Sequence, residues 1–152
     1  MLNRDFKEFA ELLDAKGVEY LLVGGYALAA HGHPRYTGDI DFWVRPAEDN
    51  LARLMDALHS FGFGSLGLSV GDFTGDTVVQ LGHPPRRIDL LTAIDGVSFE
   101  ACFARREQVV IDGVPLSIIG LEDFKTNKRA SGRAKDLADL ESLEPPGSTP
   151  RS

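Results

Sequence analysis

Residues 35–44 read "RYTGDIDFWV" and set Asp39 and Asp41 two apart at the head of an apolar run. In an extended chain alternate side chains share a face, so the two Cα atoms lie roughly 6.5 to 7 Å apart and both carboxylates can reach one hard cation. Without a cation between them the two charges repel. The pair is therefore either half of a metal site or a solvated outer face. A third acid, Asp89, stands in "RRIDLL" among Ile88, Leu90 and Leu91, where a carboxylate is costly unless it has a partner or a task. The bland partner is Arg86 or Arg87, and the task would be to complete a two-ion site and act on an attacking hydroxyl. Upstream, Gly24-Gly25 separates "VEYLLV" from "YALAAHG". Glycines at a strand-to-helix turn let backbone N–H groups approach an anion such as a triphosphate.

These groups need elements to hold them. "DIDFWV" alternates, with Ile40, Phe42 and Val44 on one face and Asp39, Asp41 and Trp43 on the other, which predicts a strand ended by Pro46. "VEYLLV" (18–23) predicts a second strand. A helix is expected over 5–16, with Asp5 as N-cap, Phe6, Phe9, Leu12 and Leu13 on one face, and Gly17 as the stop. Another is expected over 47–61, where Leu51, Leu54, Met55, Leu58 and Phe61 keep helical spacing up to Gly62.

Three short strands follow at 65–70, 77–81 and 86–92, separated by turn formers. "SFEACFARR" reads as helix, "EQVVI" and "VPLSII" as a hairpin about Asp112-Gly113, and 121–130 and 133–143 as two helices bent at Ser131-Gly132. The fold class is α/β (α+β): a short mixed or antiparallel sheet with helices on one side. Residues 1–143 form one domain, and 144–152 ("EPPGSTPRS" from Glu144) a disordered tail.

Composition narrows the partners. With 43% hydrophobic and 26% charged residues, the 152-residue chain suits one globular core. A net charge of −7 weighs against a surface that grips a polyphosphate chain along its whole length. Basic residues gather only at Lys125, Lys128, Arg129, Arg133 and Lys135. A lone cysteine, Cys102, excludes an internal disulfide and suits a reducing cytosol. Neither a signal-peptide pattern nor an uninterrupted apolar span is present, so a soluble cytoplasmic protein with no membrane partner is expected.

His31 and His33 alternate, but no cysteine or further histidine supports a zinc reading, and a structural role is expected. Trp43 is expected to be packed rather than to stack a base. Asp136 and Asp139 are expected to pair within the helices, with Lys135 and Asp139 at ion-pair spacing.

In order and spacing, "LLVGGYALAAHGHPRYTGDIDFWV", "RRIDLL" and "NKRASGRAKDLADLESL" resemble the DNA polymerase β-like nucleotidyltransferases, in the small prokaryotic branch that includes toxin–antitoxin enzymes. Many members carry Gly-Ser where this chain has Gly24-Gly25. The resemblance implies a nucleotidyltransferase fold in which Asp39, Asp41 and Asp89 are catalytic and hold Mg²⁺, two ions in all. It implies that Gly24 and Gly25 face the triphosphate of an NTP. It also makes Arg35, Thr37, Lys128 and Lys135 nucleotide-binding candidates.

The implied reaction moves NMP from the NTP onto a hydroxyl acceptor and releases pyrophosphate. A tRNA, a partner protein or a small molecule could supply that hydroxyl, and a cognate antitoxin or toxin protein could accompany the chain. The alternative is a non-catalytic nucleotide-binding or regulatory module of a toxin–antitoxin pair.

Overall fold

The computed structural model describes residues 2–33, 38–83 and 86–144. Six strands form one mixed sheet: β1 (Tyr20–Val23), β2 (Asp39–Val44), β3 (Val78–Leu81), β4 (Arg87–Leu91), β5 (Glu107–Ile111) and β6 (Val114–Ile118), in the order β3-β4-β2-β1-β6-β5. The pairs β2/β4 and β1/β6 are parallel, and β1/β2, β3/β4 and β5/β6 are antiparallel. The helices are α1 (Arg4–Ala15), α2 (Gly24–Ala30), α3 (Glu48–Leu58), α4 (Phe99–Ala104), α5 (Leu121–Ser131) and α6 (Ala134–Leu143). Among the described residues no helix is long and apolar enough to cross a membrane.

Helices cover both faces of the sheet, not one. Alternate strand residues part into two clusters, as the pleat requires. Tyr20, Leu22, Ile40, Phe42 and Val44 pack with Phe6, Phe9 and Leu13 of α1 and Leu51, Leu54 and Leu58 of α3. Leu21, Val23 and Trp43 pack on the opposite face with Phe99 and Cys102 of α4, Phe124 of α5 and Leu143 of α6. A strand buried on two faces cannot alternate apolar with polar along its whole length. That is why "YLLV" is apolar throughout, while β2 alternates only where its second face opens to the site.

Three local expectations are corrected. Helix α1 starts one residue before Asp5, and its N-cap is Asn3, whose Oδ1 accepts from Phe6 N at 2.9 Å. Past Leu58, α3 continues as a wider turn over His59–Phe63, in which Gly62 takes φ 102°. Residues 65–70 form no strand. Turns occupy Gly64–Leu66 and Val70–Phe73, Gly67 is left-handed, and Ser69 with Asp72 makes a capping box.

Candidate active site

The parallel register of β2 and β4 builds the site. On the face shared with Trp43, the apolar row Leu21, Trp43, Leu91 gives way one pleat on to Val23, Asp41, Asp89. One pleat further Asp39 faces Arg87. The three carboxylates sequence reasoning singles out are thus brought to neighbouring positions at one end of the sheet. They line a cleft of about 530 Å³ together with Gly24, Gly25, Arg87 and Lys135, a volume in the range of small-molecule sites. Gln80, Asp95 and Asn127 also line it, and Asn127 Nδ2 donates to Asp95 O at 2.9 Å.

Gly24 has a steric task that spacing alone does not reveal. It begins α2 with φ 70°, directly after Val23, the register partner of Asp41. A Cβ built there would collide with the Asp41 carboxylate, whose Cγ would lie only 3.0 Å away. Glycine is therefore needed both for the left-handed backbone and to let the turn close over the acid.

The charges here are not in balance. Burial, then the negative charge of Asp89 and a hydrogen bond shared with it, then Asp39, push Asp41 up to about 7, against the pull of Lys135. Arg87 is the guanidinium within the cluster. Its Nε donates to Asp89 Oδ1 at 2.8 Å, and its Nη2 donates to Asp39 Oδ2 at 2.7 Å and to Asp89 Oδ2 at 3.1 Å. The sequence signal for it is the same period of two that pairs Asp39 with Asp41, since Arg87 and Asp89 share a face of β4. The sequence makes Arg87 a simple ion-pair partner for Asp89, and the structure shows that pairing inside the acidic cluster.

The helical side of the cleft is differently made. Lys128 lines it, but its buried ammonium is committed to Asp136 Oδ1 at 3.2 Å and Asp139 Oδ2 at 3.0 Å. Asp136 Oδ2 also accepts from Ser131 Oγ and Arg133 Nε, each at 2.7 Å. Burial by itself would raise Asp136, but these donors and the Lys128 charge outweigh it and hold the acid at about 2. Asp139 therefore pairs with Lys128 across the bend at Gly132, where helical spacing suggested Lys135. Two more residues of the basic stretch are also paired: Arg129 meets Glu144 at 2.8 Å, and Lys125 lies 3.6 Å from Glu122. Lys135 takes part in none of these pairs and faces the cleft.

Arg35 and Thr37 lie outside the described residues. His31 Nε2 contacts Ile119 O at 2.8 Å, and its ring stacks on Phe124. Trp43 packs edge-on against Phe99.

As a donor set, three carboxylates on registered strands, one of them pushed up by burial and then by its acidic neighbours, suit a hard divalent ion. Among the described residues, however, no three acid, histidine or cysteine side chains are arranged to hold one as they stand. Asp39 and Asp89 are turned onto Arg87.

The family described as "Nucleotidyl transferase of unknown function (DUF2204)" matches residues 2–145. No match was found among curated proteins. Among solved structures, an antigenic nucleotidyltransferase-like protein from Paracoccidioides brasiliensis is 20% identical, with 90% of this chain and 72% of that one covered and a TM-score of 0.52. The antibiotic-resistance factor ANT(2'')-Ia is 15% identical, with 90% and 78% covered and the same TM-score of 0.52. These two likenesses concern the fold. With the family match running over nearly its whole length, the chain belongs to this family and is a nucleotidyltransferase.

Proposed function

We propose that the protein transfers NMP from an NTP to the hydroxyl of a small-molecule acceptor in a Mg²⁺-dependent reaction. The observation that carries this reading is the registered set of Asp39, Asp41 and Asp89, with Gly24 closed against Asp41. Asp39, Asp41 and Asp89 would hold Mg²⁺, two ions when fully loaded. Bound there, the metal neutralises the phosphates and stabilises charge on the attacking and leaving oxygens. The backbone of Gly24 and Gly25 lies beside the carboxylates in the cleft and can approach the triphosphate closely. Lys135, unpaired with the helix acids, supplies positive charge to the same phosphates.

Asp89 accepts the proton of the acceptor hydroxyl. The hydroxyl oxygen bonds to the α-phosphorus as the bridging oxygen leaves with pyrophosphate, and the proton passes from Asp89 to solvent.

The preference for a small acceptor rests on where the basic residues go. Lys125, Lys128, Arg129 and Arg133 are turned to the chain's own acids, which leaves a polyanion such as tRNA little to hold. One of the structural neighbours is an antibiotic-resistance factor, which fits an acceptor of that size.

The test incubates the full chain with each α-labelled NTP, Mg²⁺ and cell extract, then separates RNA, protein and small molecules. Label is expected in the small-molecule fraction. The double variant Asp39→Asn/Asp41→Asn should lose transfer on the order of a thousand-fold or more. Undiminished transfer by that variant would sink the site assignment, and label in RNA would replace the acceptor with tRNA.

A further inference from the structure

Arg87 occupies the centre of the acidic cluster. One guanidinium engages Asp39 Oδ2 and both oxygens of Asp89, so three of the oxygens that would ligate a cation already accept hydrogen bonds from Arg87. The cluster is thereby held in an arrangement in which, among the described residues, no three ligating side chains can share an ion. The Arg87 side chain is also the more accessible partner, 26% exposed against 9% for Asp89, and it lines the cleft. It can therefore leave without opening the core. This contrasts with Lys128, whose side chain is 5% exposed between its two acids.

We propose that Arg87 is the resident counter-cation of the carboxylate face: a divalent ion displaces it from Asp39 and Asp89, and the released guanidinium then binds the phosphates of the incoming nucleotide. The inference rests on the reading of Asp39, Asp41 and Asp89 as metal ligands. It gives one side chain two successive partners of like charge, carboxylate and then phosphate, both of which match the planar fork of arginine. While the ion is absent, the fork offsets one of three negative charges. When the ion takes over that role, the positive charge freed at the cleft meets an incoming polyanion. Metal and nucleotide binding are then linked through Arg87, and each favours the other.

A merely structural ion pair makes the opposite prediction about metal affinity, which allows a direct test. Mn²⁺ is titrated into the full chain without nucleotide, and free Mn²⁺ is followed by its electron paramagnetic resonance signal. Wild type, Arg87→Ala, Arg87→Lys and Asp39→Asn/Asp41→Asn are compared, with thermal melts showing that each is folded. Removing a competing charge at hydrogen-bond distance should tighten Mn²⁺ binding about tenfold in Arg87→Ala. Arg87→Lys, which keeps the charge and loses the fork, should fall between it and wild type and serves as the readout if the alanine variant does not fold. With Mn²⁺ saturating, a non-hydrolysable NTP analogue should bind about tenfold more weakly to Arg87→Ala.

Mn²⁺ affinity in the Arg87 variants equal to or below that of wild type overturns the proposal, provided wild type binds Mn²⁺ and the double aspartate variant does not. If no form binds Mn²⁺, or the double aspartate variant binds it as well as wild type, the metal reading itself fails and the proposal falls with it.

Discussion

The carboxylates of β2 and β4 line one cleft with Asp136 of α6, under different balances of charge. On α6, Asp136 and Asp139 face Lys128 and Arg133, and Ser131 donates as well. On the sheet, Asp39 and Asp89 share one guanidinium beside Asp41, with Lys135 acting at longer range. The outcome shows in the acids: Asp136 is held at about 2, while Asp41, driven by burial and then by Asp89, is pushed up to about 7. A buried cluster that balances its own charge resists disturbance and serves the fold. One left with excess charge is poised to accept a counter-ion, which is why the chemistry is proposed for that cluster.

The comparison breaks most readily at Lys128. Lys128→Met removes the ammonium from between two buried acids and should cost about 3 to 5 kcal/mol of unfolding free energy. Asp41→Asn, in the unbalanced cluster, removes a charge that its neighbours already disfavour. Its stability should stay within about 1 kcal/mol of wild type or rise. Urea denaturation of the two variants at pH 7.5 measures both, and equal losses would erase the distinction between the clusters.

Two left-handed glycines sharpen it further. Gly24→Ala combines an αL backbone with a collision against Asp41. A loss of about 2 kcal/mol is expected, together with impaired NMP transfer, because Asp41 must move. Gly132 joins α5 to α6 at φ 64°, and the nearest atom a Cβ would meet is Arg129 O at 3.7 Å. Gly132→Ala should therefore cost only the backbone strain, about 1 kcal/mol, and leave transfer as it is. Paired denaturation curves and labelled-NTP assays separate the two, and full transfer by Gly24→Ala would show that the turn does not position the acid.

The same contrast governs how much could be read from the sequence. Period two placed Asp39 and Asp41 on one face of β2, and period 3.6 found α1 and α3, because each pattern is written within a few consecutive residues. The hairpin β5/β6 was legible from Asp112-Gly113 for the same reason. "SLGLSV" also alternates, yet Gly67 at φ 68° and the Ser69–Asp72 capping box turn the chain, so alternation there did not mean a strand.

What stayed hidden depends on register across distance. Arg87 meets Asp39 because β2 and β4 run parallel and pair those two positions, 48 residues apart. Helical spacing offered Lys135 to Asp139, whereas the bend at Gly132 folds α6 back so that Lys128, eleven residues away, takes it. Helices on the second face were hidden likewise, since β1 is apolar throughout and does not say which element covers each side.

The smallest effect is the one acid should expose in the balanced cluster. Asp136 has an ordinary value of 3.8 and a folded value of about 2, because the donors from Ser131, Arg133 and Lys128 overcome the cost of its burial. A carboxyl lowered by folding contributes stability that is present above its unfolded value and lost as pH falls through the folded one. The contribution of Asp136 should thus be intact at pH 5 and fade between about pH 4 and pH 2. Asp136→Asn should be less stable than wild type at pH 6, yet lose less on acidification, so that the two urea midpoints converge towards pH 2. Asp49 is also lowered to about 2, chiefly by hydrogen bonding from Arg45, but it stands on the surface, where solvent screens the pair. Asp49→Asn should therefore leave the acid limb close to that of wild type. If it moved that limb as far as Asp136→Asn does, burial of the charge cluster would not be the source of its strength.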